Sequence, residues 1–219
     1  VGALDPAAIE EVQRESWPVV RDPDELHDAL LTLLWMPEPI AVEWVSYLPT
    51  LAESGRAVSV QARGEGQGAR GWIATERRVE VEAALAMRDD ATLDVIILGW
   101  MESIGPTTVV ELASRLHLPT EQVDGSMIRL EASGQVLRGC FRFTQARGAR
   151  GFETVSDLSP LAPYPVSGAD KSAPEWCHRR LLVRIHRLTI GRLRKEVEPV
   201  TAAEFMRFLC QWQHVAPGS

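Results

Sequence analysis

Features of membrane and secreted proteins are missing from this sequence of 219 residues. Its longest apolar run, Leu93 to Met101, is far shorter than the roughly 20 residues that cross a bilayer, and it contains Asp94. No charged segment followed by an apolar one opens the chain, so nothing indicates secretion. We therefore expect a cytoplasmic protein that makes no membrane contact. Because the sequence begins with Val1 instead of Met, we also expect it to be a part of a longer protein.

Paired cysteines and the motifs of common enzymes are also missing. Cys140, Cys177 and Cys210 form no C-x-x-C pair, which argues against a zinc site and favours reduced thiols. There is no glycine-rich loop that ends in Lys-Ser or Lys-Thr, no H-E-x-x-H and no G-x-S-x-G. We expect no metal site and no catalytic residue in this chain.

Lysine is scarce, because 21 of the 23 basic residues are arginines. The formal net charge is -7, but the charges are unevenly distributed. Residues 1–62 hold 11 acids and 3 bases, whereas residues 136–195 hold 12 bases and 4 acids. An acidic protein with one basic segment is typical of a localised anion-binding surface. Arginine suits phosphates and base stacking better than lysine does.

Two stretches of the chain resemble each other, which predicts an internal repeat. Residues 51–55 (Leu-Ala-Glu-Ser-Gly) match residues 130–134 (Leu-Glu-Ala-Ser-Gly), and residues 68–72 match residues 148–152. Each copy reads as helices, a last helix that ends in Ser-Gly, and a hairpin with a Gly/Arg tip. We predict a mainly α fold with small β-wings (α+β), built from tandem winged-helix domains. The alternative is two unrelated helix–hairpin units.

The predicted division of the chain follows from this repeat. The second hairpin is predicted from strands at residues 135–143 and 152–155. The segments are a first winged-helix-like unit at residues 1–88, a second winged-helix unit at 89–157, a Pro/Ser-rich linker at 158–174, and residues 175–219. That last segment is predicted to hold a basic helix near 175–197 and a second helix near 202–214, which begin a third unit.

The basic helix is the main candidate for phosphate binding. At 100° per residue, four of its arginines share one arc, and three further bases widen the basic face. The four are Arg180, Arg184, Arg187 and Arg194; the three are Arg179, Arg192 and Lys195. Such a ridge can follow a nucleic-acid backbone. The alternatives are a solvated helix face, or a face that pairs with the acidic first third of the chain.

The wings are better candidates than the helices before them. The last helix of the second unit presents Glu121 and Asp124 outward, and carboxylates repel phosphates, so base-specific reading of a duplex by that helix is not expected. Trp72, just past the first tip, can stack on an unpaired base, with an inward-facing ring as the alternative. The basic residues of the wings are Arg63, Arg70, Arg138, Arg142, Arg147 and Arg150.

Residues 176–214 resemble the Lhr (large helicase-related) proteins. The resemblance rests on Trp-Cys-His-Arg-Arg-Leu-Leu-Val-Arg-Ile-His-Arg-Leu-Thr from residue 176, on Phe-Met-Arg-Phe-Leu from 205 and on Trp-Gln-His from 212. The segments Leu-Asp-Pro-Ala-Ala, from residue 4, and Asp-Pro-Asp-Glu-Leu-His, from residue 22, also resemble that family. The chain is similar to the fourth domain of the family's helicase core.

The resemblance implies an accessory part of an ATP-dependent 3′–5′ DNA helicase in bacterial DNA repair. In the family this domain contacts the single-stranded tracking strand and supplies a tryptophan that stacks on a base. Trp72 is the first candidate for that residue and Trp176 the second. No cofactor is expected here, because the parent's motor domains would bind ATP and Mg. The implied partners are single-stranded DNA or an RNA:DNA hybrid and those motor domains.

Two other functions stay open at this stage. The family's fourth domain resembles winged-helix DNA glycosylases, whose Gln-x-Gln is similar to Gln211-Trp-Gln213, but the surrounding residues do not match and no catalytic role transfers. The third hypothesis is a protein-interaction scaffold whose basic helix docks a partner.

Overall fold

The computed structural model describes residues 4–39, 42–62, 69–86, 88–142, 173–196 and 201–212. The helices are α1 (Pro6–Ser16), α2 (Pro23–Leu33), α3 (Val42–Val45), α4 (Leu48–Glu53), α5 (Arg78–Leu85), α6 (Asp90–Ile104), α7 (Val109–Leu116), α8 (Thr120–Ala132), α9 (Arg179–Glu196) and α10 (Ala202–Trp212). The strands are β1 (Met36–Pro37), β2 (Ala57–Gln61), β3 (Arg70–Ala74), β4 (Thr107–Thr108), β5 (Val136–Gly139) and β6 (Glu175–His178). The predicted mainly α fold with small β-sheets is confirmed.

Short polar side chains begin several helices, because they accept hydrogen bonds from the free N–H groups of the first turn. Asp5 accepts from Ala7 N–H (3.0 Å) at the start of α1. At the start of α7, Thr108 and Glu111 form a reciprocal capping box. These local signals determine the residues at which α1 and α7 begin.

The chain contains the same small antiparallel sheet twice. Strand order is β1-β3-β2 in the first sheet and β4-β6-β5 in the second, so in each the last strand lies in the middle. Gly55 and Gly134 precede β2 and β5 with positive φ angles of 71° and 72°, a left-handed turn that only glycine adopts without strain. The matched Ser-Gly motifs therefore have the same structural role. The winged-helix assignment and the four-segment division stay predictions.

The described partner of β5 comes later in the chain than the return strand that the sequence predicts for it. Strand β5 pairs with β6, Glu175–His178, whereas the proposed return strand at 152–155 lies outside the described residues. The predicted helix from residue 175 begins only at Arg179. Every residue of β6 is buried, so the segment lacks the alternating pattern that marks a half-exposed strand. The connection before β3 spans residues 62–69, and the one before β6 spans residues 140–174.

Two tryptophans join the first sheet to the helices that follow it. The indole N–H of buried Trp35 donates to the carbonyl of Leu116 (2.9 Å), and that of Trp100 donates to the carbonyl of Trp35 (3.0 Å). Helices α2 and α6 cross closely at Gly99, where a Cβ atom would lie 2.3 Å from the carbonyl oxygen of Thr32. One apolar core therefore continues from the first unit into the second.

A smaller core joins α1 to β6 and α9, which lie far from it in the sequence. Apolar residues of α1, among them Ile9 and Val12, pack against Cys177, Leu181 and Ile185 of β6 and α9. This cluster fixes α9 in place and determines which of its arginines face solvent.

Candidate nucleic-acid interface

Trp72 lies in the central strand of the first sheet and packs partly against the main core. In β3, Gly71 and Ile73 are buried, while Arg70 is exposed and Trp72 is half-buried. The indole N–H of Trp72 donates a hydrogen bond to Oε1 of Glu38, with an N···O distance of 3.0 Å. A base-stacking residue needs a fixed ring with accessible surface. Trp72 meets both conditions.

Arg70 lies beside Trp72 and is also held in place. Its Nε donates to Oγ of Ser59 (2.9 Å) and lies 3.7 Å from the Glu38 oxygen that Trp72 binds. The remaining guanidinium N–H groups can donate to a phosphate. Sequence reasoning did not single out Glu38, because a two-residue strand before it carries no readable pattern.

Trp176, the second stacking candidate, is buried. It is 2% exposed, and the guanidinium of Arg138 lies over its ring, with Cζ 5.4 Å from the ring centroid. A base cannot reach this ring in the structure, which corrects the proposed stacking role of Trp176. The prediction placed the residue at the start of the basic helix, whereas it lies in the central strand of the second sheet.

Two arginines of the predicted basic face bind carboxylates of α1 or of its N-cap residue. Arg184 forms an ion pair with Glu15, and Arg192 donates to Asp5 and to Glu11, each at 2.6 Å. The hydrogen bond from Arg192 holds the pKa of Asp5 below its usual value, and the bond to Asp5 raises the pKa of Arg192. Pairing with the acidic first third, one of the alternatives from the sequence, therefore occurs at these two positions.

Three other arginines of α9 form a line on its outer face, which we call the arginine stripe: Arg180, Arg187 and Arg194. They are seven residues apart, or about 10.5 Å along the helix, and all three are exposed. They form no ion pair with a carboxylate among the residues that the structure describes. Arg179 and Lys195 are also exposed on α9. These five residues are thus the part of the basic face whose charges no described carboxylate neutralises.

Arg142, a wing arginine in the sequence prediction, is engaged within the protein. It forms ion pairs with Glu175 and, at 2.7 Å, with Glu111. Burial is the largest single influence on the pKa of Glu111 and raises it, but the hydrogen bonds from Arg142, Thr108 and Thr107 and the charge of Arg142 together outweigh burial, so this pKa lies below its usual value. Arg142 therefore ties β6 to α7 instead of offering a free charge.

Helix α8 has the acidic character expected from its sequence. Arg129 donates to both oxygens of Asp94, at 2.8 and 2.6 Å, which neutralises its charge. Glu121 and Asp124 stay exposed. The face of α8 therefore repels a phosphate backbone, and we leave this helix out of the candidate interface.

Some candidates cannot be placed. Arg63, Arg147 and Arg150 lie outside the described residues.

Within the described ranges, no group of three or more His, Cys, Asp or Glu side chains is arranged to hold a metal ion. In the same ranges, none of the helices combines the length and apolar character needed to cross a membrane.

The chain thus combines a duplicated helix-and-sheet unit with an exposed arginine stripe and a half-buried tryptophan. It is 27% identical over 137 residues to a protein of Mycolicibacterium smegmatis named "Lhr helicase/ probable uracil glycosylase". The match covers 63% of this chain but only 7% of that relative's length. No family model matches the chain. The resemblance to the Lhr helicases is thereby confirmed, at a distant level.

Proposed function

We propose that this chain is a nucleic-acid-binding accessory part of an Lhr-type ATP-dependent 3′–5′ DNA helicase that acts in DNA repair. It contacts the single-stranded tracking strand, as single-stranded DNA or within an RNA:DNA hybrid, and it adjoins the motor domains of the parent protein. Those motor domains bind ATP and Mg, so this part of the protein hydrolyses no nucleotide on its own.

The arginine stripe is the observation that carries the proposal. Its three arginines lie on the outer face of a helix whose opposite face is packed against α1, so the helix holds their Cα atoms at a constant spacing. Their charges are not neutralised by described carboxylates, unlike those of Arg184 and Arg192. Regularly spaced arginines whose charges are not neutralised suit the repeated phosphates of a nucleic-acid backbone.

The first sheet supplies the other half of single-strand binding. Trp72 offers an aromatic surface and Arg70 a neighbouring cation, a combination that binds unpaired bases with little sequence preference. The acidic outer face of α8 disfavours a role in which that helix enters the major groove of a duplex.

The other two hypotheses receive less support. For the glycosylase, the sequence around Gln211 and Gln213 does not match the glycosylase motif, and the relative's name alone carries no residue over to this chain. For the scaffold, the apolar face of α9 around Leu181 and Ile185 already packs against α1 within the chain.

Fluorescence anisotropy with labelled oligonucleotides tests the proposal. We expect the chain to bind single strands of about 12 nucleotides more tightly than a blunt duplex. The log–log plot of affinity against salt should have a slope of magnitude about 2 or more, since each of three phosphate contacts contributes about 0.7. Failure to bind at low salt, or binding that salt leaves unchanged, would contradict the proposal. Uracil-containing DNA in the same series should stay free of abasic sites, and their appearance would support the glycosylase instead.

A further inference from the structure

The two tryptophans occupy the same register position in the two sheets. Trp72 pairs with the first residue of β1, Met36, and the third residue of β2, Ser59. Trp176 pairs with the first residue of β4, Thr107, and the third residue of β5, Arg138. Each tryptophan is thus the central residue of an equivalent three-stranded row. The match joins residues 104 positions apart, whereas Phe152, which the sequence repeat aligned with Trp72, lies outside the described residues.

The third residue of the outer strand accounts for the difference between these two rows. In the first sheet this residue is Ser59, whose short side chain binds Arg70 and leaves the ring of Trp72 partly accessible. In the second sheet it is Arg138, whose long side chain reaches over the ring of Trp176. The outermost planar group at this position is therefore an indole in the first sheet and a guanidinium in the second.

The geometry around Arg138 leaves that guanidinium available. Its Cζ lies 5.4 Å from the ring centroid of Trp176, within the range of a cation–π interaction. Its side chain is 54% exposed, and its one described ion pair is to Glu131, with Nε and Oε1 3.7 Å apart. The ring beneath restricts the guanidinium to positions above the sheet, while its outer side faces solvent. Bases stack on such arginine planes as they do on aromatic rings.

We propose that Arg138, supported by Trp176, is a second base-stacking surface for single-stranded nucleic acid, equivalent in the second sheet to Trp72 in the first. This inference rests on the proposed function, and it gives Arg138 a role beyond that of a phosphate contact. In this arrangement the buried ring of Trp176 does not contact the base itself but positions the guanidinium of Arg138 above it. The alternative role for Arg138 is purely structural, as a cover for an apolar ring.

The base dependence of binding separates these two roles. The probes are a labelled oligothymidylate of about 12 nucleotides and an oligomer of abasic deoxyribose phosphates of the same length, which has equal charge and no bases. The informative value is the dissociation constant of the abasic probe divided by that of the oligothymidylate, which is large when bases contribute to binding. Partial unfolding of a variant weakens binding of both probes equally and leaves this ratio unchanged.

Arg138→Lys keeps the charge and removes the planar group. We expect it to reduce the ratio about 5-fold or more, as the loss of one stacked base should, while the affinity for the abasic probe stays within about 2-fold. Trp72→Ala should reduce the ratio as well, and the double variant more than either single one. Arg88→Lys is the matched control, an exposed arginine that lies over no ring in the described part of the chain, and it should leave the ratio unchanged.

An unchanged ratio in Arg138→Lys, alongside a reduced one in Trp72→Ala, would refute the second stacking surface and leave the proposed function standing. Equal losses with both probes would assign Arg138 a structural role and refute the inference too. If the wild-type chain binds neither probe at low salt, the proposed function itself fails.

Discussion

Removing two arginines of the stripe should flatten the salt dependence of nucleic-acid binding. The perturbation is the double variant Arg180→Ala/Arg187→Ala. Both side chains are exposed and form no ion pair with described carboxylates, so their removal should cost the fold little. Seven residues of helix separate them by about 10.5 Å, so the two side chains reach different phosphates.

The magnitude follows from counterion release. Each phosphate neutralised on a single strand contributes about 0.7 to the log–log salt slope, so the double variant should lower the magnitude of the slope by about 1.4. Binding should weaken for every sequence, because phosphate contacts carry no sequence information.

The assay is anisotropy at several salt concentrations, and Arg184→Ala is its matched control. Arg184 is on the same helix, but Glu15 neutralises it, so its removal should leave the slope almost unchanged. This exposed ion pair contributes roughly 0–1 kcal/mol to stability, so the control should remain folded. A wild-type slope in the double variant, or an equal reduction in the control, would refute the phosphate-binding role of the stripe.

The remaining predictions concern stacking, thiol chemistry and packing. Trp72→Ala should lose about 1–3 kcal/mol of binding free energy at an unchanged salt slope, because stacking releases no counterions; a flattened slope would contradict this. Burial raises the pKa of Cys177 to about 12, so its thiolate population is about a thousandfold below that of a thiol at the ordinary value of 9.0. A thiol reagent at mildly alkaline pH should therefore label exposed Cys140 quickly and Cys177 only on unfolding, as peptide mapping would show. Gly99→Ala should destabilise the fold by about 1–3 kcal/mol in a denaturant titration, because its Cβ would meet the backbone of α2. Gly191→Ala, where a Cβ atom meets nothing within 4 Å, should instead stabilise α9 by about 1 kcal/mol, and a loss there as large as that at Gly99 would undermine the packing explanation.

The sequence predicts the parts of the fold that depend on local signals. The Ser-Gly motifs at 51–55 and 130–134 correspond to equivalent turns, because a positive φ selects glycine wherever it occurs. The spacing of the arginines from Arg180 to Arg194 predicts the basic face of α9, because each residue of a helix is rotated by about 100° from the one before. Both features depend only on residues that belong to the same turn or the same helix.

The features that the sequence analysis missed depend on distant residues. The strand at Trp176 forms because β4 and β5 pair with it across a long connection, and burial on both faces removes the alternation that would reveal it. Likewise, whether an arginine of α9 is neutralised depends on α1, near the other end of the described chain. The position of Glu15 relative to Arg184 cannot be read from either segment alone.

The contact between α1 and α9 sets an order of events during synthesis of the chain. The backbone N–H of Asp5 binds the hydroxyl of Thr189, which lies 184 positions later. At about 5–20 residues per second, a ribosome adds those residues in roughly 10 to 40 s. During this time Ile9 and Val12 lack their partners Leu181 and Ile185, so the small core cannot close. The first sheet, whose strands β2 and β3 are separated by a short connection, is complete long before. Helix α1 is therefore synthesised before the first sheet but reaches its final position after it, and the carboxylates of Asp5, Glu11 and Glu15 neutralise Arg192 and Arg184 only when α9 has been made.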